Sequence, residues 1–129
     1  MNVLIIGKDL GKKLQGVLSD IKYEVIVRSW NDDAVSSVLN IFRNVFAVII
    51  DYDISVNESF KIDFHIEKAM AEELPIILVT QKEENEIKDE LNERDFIDKE
   101  NSLSKYNIFY LRKPVKKEAL SDGLLSFYP

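Results

Sequence analysis

The sequence contains no cysteine among its 129 residues. Disulfide bonds and thiolate metal sites are therefore excluded, and the composition is typical of a cytoplasmic protein. No apolar run approaches the roughly 20 residues that a helix needs to cross a bilayer. Residues 1–4 also lack the basic region and the cleavage site of a secretory signal. We therefore expect a cytoplasmic protein with no membrane contact.

Basic residues are fewer than acidic residues in this sequence. The chain has 17 Lys and Arg against 23 Asp and Glu, which gives a net charge of −6. Direct nucleic-acid binding normally requires a basic stripe, so none is predicted for this chain. The length and a hydrophobic content of 46% fit one compact domain over residues 1–129.

Short apolar runs alternate with amphipathic stretches along the chain. The runs have the continuous apolar character of buried strands; they cover residues 3–6, 24–27, 46–50, 76–79 and 108–111. The stretches between and after them carry apolar residues at helical spacing. This alternation predicts a doubly wound α/β fold, a five-stranded parallel sheet with helices on both faces.

Polar residues follow three of the predicted strands. Asp51 follows the third strand, Thr80 the fourth, and Lys113 lies just after the fifth. Since ligands of such folds bind at the carboxyl ends of strands, an acid, a hydroxyl and an ammonium would meet at one edge. A lysine and a hydroxyl can stabilise the oxygens of an aspartyl phosphate, which makes Asp51 a candidate phosphate acceptor. Taken singly, each residue also fits an ordinary place in a turn or on the surface.

The order Asp51, Thr80 and Lys113-Pro114 resembles the receiver domain of bacterial two-component response regulators. The resemblance implies a flavodoxin-like fold with strand order 2-1-3-4-5 and a non-enzymatic role in signalling, such as transcription regulation. It implies phosphorylation of Asp51 by a histidine kinase with Mg²⁺ as cofactor. It also implies that Tyr110 is the aromatic residue that turns inward when Thr80 moves to the phosphate.

The resemblance also implies partners. They are an output domain, a second copy of the chain, or a regulatory protein that docks on the fourth helix and fifth strand. Residues 82–105 fall in that region and form a charged stretch. The segment between Thr80 and Lys113, which contains it, is roughly ten residues longer than in a typical receiver. This stretch is expected either to reshape the docking face or to be a mobile solvated loop.

The sequence departs from the receiver pattern where Mg²⁺ is normally bound. Receivers carry two adjacent acids after the first strand, whereas this chain has Gly7 and Lys8. Asp9 and Asp53 are weak candidates for a rebuilt metal site. Ser55 stands where receivers usually keep a proline. We therefore expect an atypical receiver-like domain that acts mainly through protein contacts, with Mg²⁺-dependent phosphorylation impaired or absent. A functional phospho-accepting receiver is the alternative.

The segment after the first strand supports two further hypotheses. The ammonium of Lys8 could lie within reach of Asp51 and take the charge role of the metal, or it could simply be solvated. Residues 7–13 also resemble a phosphate-binding P-loop, although the loop is one residue short and Lys13 replaces the Ser or Thr that binds Mg²⁺. Nucleotide binding is thus an alternative of another class. Asp9 is otherwise expected to cap the first helix.

The chain has one histidine, His65, and one tryptophan, Trp30. No catalytic or metal-binding partner is apparent for His65, so a surface or edge position is predicted for it. Trp30 follows the second strand and is expected to lie at the rim of the core or to anchor an interaction.

Overall fold

The computed structural model describes residues 1–42, 44–53 and 58–127; Ser55 lies outside them. The strands are β1 (Asn2–Ile6), β2 (Glu24–Arg28), β3 (Val45–Asp51), β4 (Ile76–Thr80) and β5 (Ile108–Arg112). The helices are α1 (Lys8–Asp20), α2 (Ala34–Ile41), α3 (Ser59–Ala71), α4 (Glu84–Glu93) and α5 (Lys117–Leu125), and a short 3-10 helix covers Leu103–Tyr106. The predicted alternation of strands and helices is confirmed.

The five strands form one sheet in the order β2-β1-β3-β4-β5, and every neighbouring pair is parallel. This is the predicted order 2-1-3-4-5. β3 lies at the centre, between β1 and β4. Asp51 is paired with Val79, and Thr80 is paired with Arg112. The carboxyl ends of β3, β4 and β5 therefore lie side by side at one edge of the sheet.

Helices cover both faces of the sheet, and alternate residues of each strand point to opposite faces. In β1, Val3 and Ile5 belong to the core layer beneath α1 and α5. Leu4 and Ile6 belong to the layer formed with α2, α3 and α4. Because both faces are buried, the strand is apolar at consecutive positions, which is the pattern that identified it in the sequence.

The junction between β1 and α1 is a single residue. Gly7 separates Ile6 from Lys8 and occupies the N-cap position of α1, with no side-chain capping bond. The prediction that Asp9 caps this helix is wrong, because Asp9 lies inside the first turn, where its charge suits the positive end of the helix dipole. The rest of the P-loop-like segment, residues 8–13, is helical. No loop is left there to surround a phosphate, contrary to the nucleotide-binding hypothesis.

Several helices end without glycine. Lys22, Glu73 and Asp95 adopt positive φ angles of 72°, 57° and 62° just after α1, α3 and α4. After α1, the N–H of Tyr23 donates to the carbonyl of Leu18 at 3.0 Å, which is the bond of a Schellman motif. The chain therefore turns from helix to strand with polar residues in the left-handed conformation.

The long stretch between β4 and β5 packs on the core. After α4, Ile97 and Leu103 are each only 6% exposed and belong to the core layer of α2, α3 and α4. The hydroxyl of Tyr106 accepts the N–H of Asp98 at 2.9 Å and so ties this connection together. The interpretation as a solvated loop is wrong at the two buried positions.

No helix in the described part of the chain is long and apolar enough to span a membrane.

His65 lies in the core, on the inner side of α3. It is 1% exposed, and its Nε2–H donates to the backbone carbonyl of Trp30 at 2.8 Å. The prediction of a surface or edge position is therefore wrong. Trp30 is partly buried and packs against the core layer that contains α3, in agreement with a position at the core rim.

Candidate functional site

Asp51, Thr80 and Lys113 meet at the carboxyl edge of the sheet. Asp51 is the last residue of β3, Thr80 is the last residue of β4, and Lys113 directly follows β5. The backbone N–H of Lys113 donates to the carbonyl of Thr80 at 2.9 Å, which carries the strand ladder one residue past β5. The geometry expected from the strand ends is present.

Lys113 binds two carboxylates. Its Nζ lies 2.9 Å from Oδ1 of Asp51 and 3.2 Å from Oδ2 of Asp53. Burial lowers the pKa of Lys113, but the two carboxylates outweigh it, and the pKa of this lysine is raised above its ordinary value. An ammonium is therefore fixed between the two acids at neutral pH.

Asp53 accepts hydrogen bonds from residues at the end of β4. Thr80 donates its hydroxyl to Oδ1 of Asp53 at 2.5 Å, and the backbone N–H of Gln81 donates to Oδ2 at 2.8 Å. Burial raises the pKa of Asp53, but these hydrogen bonds and Lys113 outweigh it and lower the pKa below its ordinary value. The hydroxyl and the ammonium predicted to stabilise a phosphate on Asp51 thus both contact the carboxylate of Asp53.

Asp53 reaches this position through a turn. β3 ends at Asp51, and the N–H of Asp53 donates to Oδ1 of Asp51 at 3.1 Å. An aspartate that accepts the N–H two residues onward forms an Asx turn, which redirects the chain. The Asp51 side chain therefore both holds Lys113 and orients Asp53.

Tyr110 connects to the same group of residues through Lys82. The N–H of Lys82 donates to Oγ1 of Thr80 at 3.1 Å, and the Tyr110 hydroxyl donates to the backbone carbonyl of Lys82 at 2.5 Å. Burial raises the pKa of Tyr110. A continuous set of hydrogen bonds thus runs from Asp53 through Thr80 and Lys82 to Tyr110 on β5.

Solved structures with this architecture include a chemotaxis protein and signal receiver domains. Chemotaxis protein CheY4 of Vibrio cholerae is 20% identical over 98% of both chains, with a TM-score of 0.69. The signal receiver domain of a modulated diguanylate cyclase from Desulfovibrio desulfuricans is 19% identical over 97% of this chain and 90% of its own, with a TM-score of 0.67. The N-terminal receiver domain of a two-component response regulator from Bacteroides fragilis is 21% identical over 97% and 93%, with a TM-score of 0.64.

The chain has the receiver-domain fold. No protein-family model matches the sequence, and no curated protein matches it. Identities near one fifth establish the fold alone, so the chemistry of the site depends on its own residues.

Gly7 occupies the place of the first acid of the receiver pattern, and it lies against Asp51. Its φ is 126°, and a Cβ built on it would come within 2.8 Å of Cβ of Asp51. Both the backbone conformation and the contact require glycine here. In the sequence, Gly7 is evident only as a residue that stands in place of an acid. The packing against Asp51 could not be anticipated from it, although a glycine directly after a buried strand was the available signal.

The donor set at this edge does not fit a receiver's Mg²⁺ site. Mg²⁺ requires near-octahedral oxygen ligands, commonly including carboxylates. Asp51 and Asp53 both contact the ammonium of Lys113 instead. Within residues 1–42, 44–53 and 58–127, no group of three or more His, Cys, Asp or Glu side chains is arranged to hold a metal ion.

Lys8 and Asp9 lie apart from these contacts. Lys8 is exposed at the start of α1, and no ion pair or hydrogen bond joins it to Asp51 in the described part of the chain. The cation that pairs with Asp51 is Lys113. Asp9 is exposed and borders a pocket of about 530 Å³ beside the site. The remaining residues that line this pocket are Leu10, Lys13, Leu14, Asp51, Asp53, Gln81, Lys113, Pro114 and Val115.

A second polar network lies beside the site of the receiver fold, and the sequence did not reveal it. Tyr52 follows Asp51 and is buried; its hydroxyl donates to Glu90 at 3.1 Å and accepts from Arg94 at 2.7 Å. Arg94 also pairs with Asp63 on α3 at 3.2 Å. Burial raises the pKa of Tyr52 to about 12, although Arg94 acts against it. The network joins the end of β3 to α3 and α4.

Lys82 connects this network to the site. Its Nζ pairs with Glu90 at 2.9 Å, while its backbone bonds Thr80 and Tyr110 as described above. Lys82, the second residue after β4, thus contacts both Thr80 and the α4 network.

Proposed function

We propose that this chain is an atypical receiver-like signalling domain that acts mainly through protein–protein contacts in the cytoplasm. Phosphorylation of Asp51 is impaired or absent in this proposal. The observation that carries it is the position of Lys113, which pairs with both Asp51 and Asp53. The chain's own ammonium takes the charge role that the sequence hypothesis assigned to Lys8.

The carboxylate of Asp53 occupies the donors that the oxygens of a phosphoryl group on Asp51 would need. An aspartyl phosphate needs donors for its oxygens, and here Thr80, Gln81 and Lys113 donate to the Asp53 carboxylate. A phosphoryl group on Asp51 would have to displace this carboxylate and would add close to two negative charges beside it. Repulsion between the two anions therefore disfavours the phosphorylated state.

The same contacts hold the surrounding structure in one arrangement. Thr80 is fixed by Asp53, Lys82 by Thr80, and the hydroxyl of Tyr110 by Lys82. The region of α4 and β5 is thereby presented without a phosphorylation event. The proposed partner on this face is an output domain, a second copy of the chain or a regulatory protein.

The alternative is a functional receiver phosphorylated on Asp51 by a histidine kinase. The convergence of Asp51, Thr80 and Lys113 at one edge favours it, together with the hydrogen-bonded position of Tyr110. In that case Mg²⁺ would be required, and Asp53 would have to release Thr80 and Lys113 to the phosphoryl oxygens. The two functions differ in whether Asp51 accepts a phosphoryl group.

Incubation with acetyl phosphate and Mg²⁺ separates the two functions. In the reaction a carboxylate oxygen of Asp51 attacks phosphorus, and acetate leaves. Intact-protein mass spectrometry at low temperature detects the added phosphoryl group. The proposal predicts no such addition to the wild type under conditions that label an ordinary receiver run in parallel.

Two variants complete this experiment. Asp51→Asn removes the acceptor oxygen and defines the background mass. Asp53→Ala removes the competing carboxylate and is expected to show more labelling than the wild type. Full labelling of the wild type that disappears in Asp51→Asn would overturn the proposal and establish the alternative.

A further inference from the structure

A groove lies between the turn after β2 and the first half of α3. Its volume is about 370 Å³, and it shares no lining residue with the pocket beside Asp51. We call it the aromatic groove. It is lined by Trp30, Asp32, Asp33, Phe60, Lys61 and Phe64, with Asn31 at its rim.

Aromatic side chains form an exposed apolar surface in this groove. Phe60 is 65% exposed and Phe64 is 41% exposed, and both are among the exposed large hydrophobic residues of the chain. They are four residues apart on α3 and so lie on one face of the helix. Large apolar side chains that are clustered and exposed mark interaction sites more often than single ones do.

The third aromatic residue is held in place from below. His65 is buried, and its Nε2–H donates to the carbonyl of Trp30 at 2.8 Å. Trp30 also packs against the core layer. Trp30 is therefore fixed before any partner arrives, which lowers the conformational cost of binding at this residue.

The aromatic groove already holds an ammonium group from its own chain. Nζ of Lys61 lies 4.5 Å from the ring centroid of Trp30 and donates to Oδ1 of Asn31 at 2.5 Å. Nζ of Lys68 lies 5.5 Å from the ring of Phe64. The chemistry of the groove thus suits cations that lie over aromatic faces.

The two carboxylates that line the groove, Asp32 and Asp33, outnumber its one lysine, Lys61, so its net charge is negative. Asp32 and Asp33 are both exposed, and within the described residues neither forms a salt bridge with a lysine, arginine or histidine. The chain as a whole has a net charge of −6. A cationic partner is therefore attracted, whereas a nucleic acid or another copy of this acidic chain is repelled.

We infer that the aromatic groove docks a segment of a partner protein that carries arginine or lysine beside a large apolar residue. The cation of that segment lies next to Asp32 and Asp33, and its apolar neighbour covers Phe60 and Phe64. This surface differs from the α4 and β5 face, so the domain has two docking faces. It does not depend on the chemistry of Asp51.

An amide NMR titration with a designed peptide tests this inference. The probe is an acetylated and amidated Leu-Arg-Leu-Leu-Arg peptide, and its matched control replaces both arginines with glutamate. Trp30 is the only tryptophan, so its indole N–H gives one assigned signal. Saturable shifts are expected at this indole and at amides of α3, weaker at high salt, and no saturation is expected with the glutamate peptide.

Variants of exposed residues locate the binding. Phe60→Ala and the double variant Asp32→Asn with Asp33→Asn should each weaken the arginine peptide by about tenfold. Leu125→Ala removes an exposed leucine of α5 and should leave the affinity unchanged. Each variant's amide spectrum, recorded without peptide, must match the wild type outside the altered position.

Three results would overturn the inference. The first is equal affinity for the arginine and glutamate peptides, which would show that charge plays no part. The second is a set of shifts on α4 and β5 in place of α3. The third is concentration-dependent shifts of the groove signals without peptide, since they would assign this face to self-association.

Discussion

Thr80 donates its hydroxyl to Asp53, two residues beyond the candidate phosphate acceptor, at 2.5 Å. Lys113 divides its ammonium between Asp51 and the same Asp53. At this edge of the sheet, the Thr80 hydroxyl is thus hydrogen-bonded and the Lys113 ammonium is paired, both with carboxylates of the same chain. In the proposed function, this relationship is the reason why phosphorylation of Asp51 is impaired or absent.

The Asp53 carboxylate contributes to the stability of the fold. In Asp53→Ala the hydroxyl of Thr80 and the N–H of Gln81 lose their acceptor, and Lys113 loses one of two partners. We expect the free energy of unfolding in urea to fall by about 1–3 kcal/mol. Asp89→Ala, at an exposed position of α4, should change it by less than about 0.5 kcal/mol. An equal loss in both variants would contradict a specific role for Asp53.

The contribution of Asp53 depends on pH in a defined direction. Its pKa in the folded protein is lower than the ordinary value of 3.8, so its contribution is complete above that value and disappears as the pH falls through the folded pKa. The stability difference between wild type and Asp53→Ala should stay nearly constant above the ordinary value of 3.8 and shrink as the pH falls below it. Urea unfolding at a series of pH values measures it, and a difference that grows on acidification would show the wrong sign.

Arg94 stabilises the network beside the site. It donates to the buried Tyr52 hydroxyl at 2.7 Å and pairs with Asp63 at 3.2 Å. Arg94→Ala leaves both groups without this partner, and a loss of about 1–3 kcal/mol in unfolding free energy is expected. Arg112→Ala is the matched control, because its pair with Glu83 is exposed and is worth less than about 0.5 kcal/mol. Similar losses in the two variants would mean that the partly buried network around Tyr52 contributes no more than an exposed ion pair.

Two glycines of α1 should respond oppositely to alanine. A Cβ on Gly11 would lie 2.6 Å from Cγ1 of Val27, and this branched side chain of β2 has little freedom to move away. Gly11→Ala should therefore destabilise the domain by about 1–3 kcal/mol. A Cβ on Gly16 meets nothing within 4 Å, so Gly16→Ala should stabilise it by about 0.5–1 kcal/mol. Thermal unfolding of the two variants checks the signs, and the same sign in both would contradict the packing of α1 on β2.

The architecture could be predicted because strands buried on both faces are apolar at successive positions. Residues 46–50 and 76–79 carry this pattern, and Asp51 and Thr80 each mark its end. Parallel pairing then places the polar residues at one edge. The doubly wound fold and the meeting of Asp51, Thr80 and Lys113 at one edge followed from these features, whereas the strand order was implied by the resemblance to receiver domains.

The hydrogen bonds and ion pairs of the site could not be predicted from the sequence, because they depend on turns and on the directions of side chains. Asp53 reaches Thr80 through an Asx turn that begins at Asp51, a geometry that residue spacing does not specify. Lys8 comes just after β1 and Lys113 just after β5, so the sequence places both near the carboxyl edge of the sheet. In the described part of the chain, only Lys113 pairs with Asp51. His65 did carry a signal that was missed, since it falls between Ile62 and Ile66 on the buried face of α3.

In the proposed function, Lys113 and Asp53 hold the site in one state. The most direct test is an amide NMR titration of the wild type with Mg²⁺ and then with beryllofluoride, an analogue of the phosphoryl group. The account predicts a well-folded spectrum with no saturable shifts at Asp51, Thr80 or Tyr110. Saturable shifts that begin at Asp51 and extend to Thr80 and Tyr110 would contradict it and would identify a receiver that still binds metal and still switches.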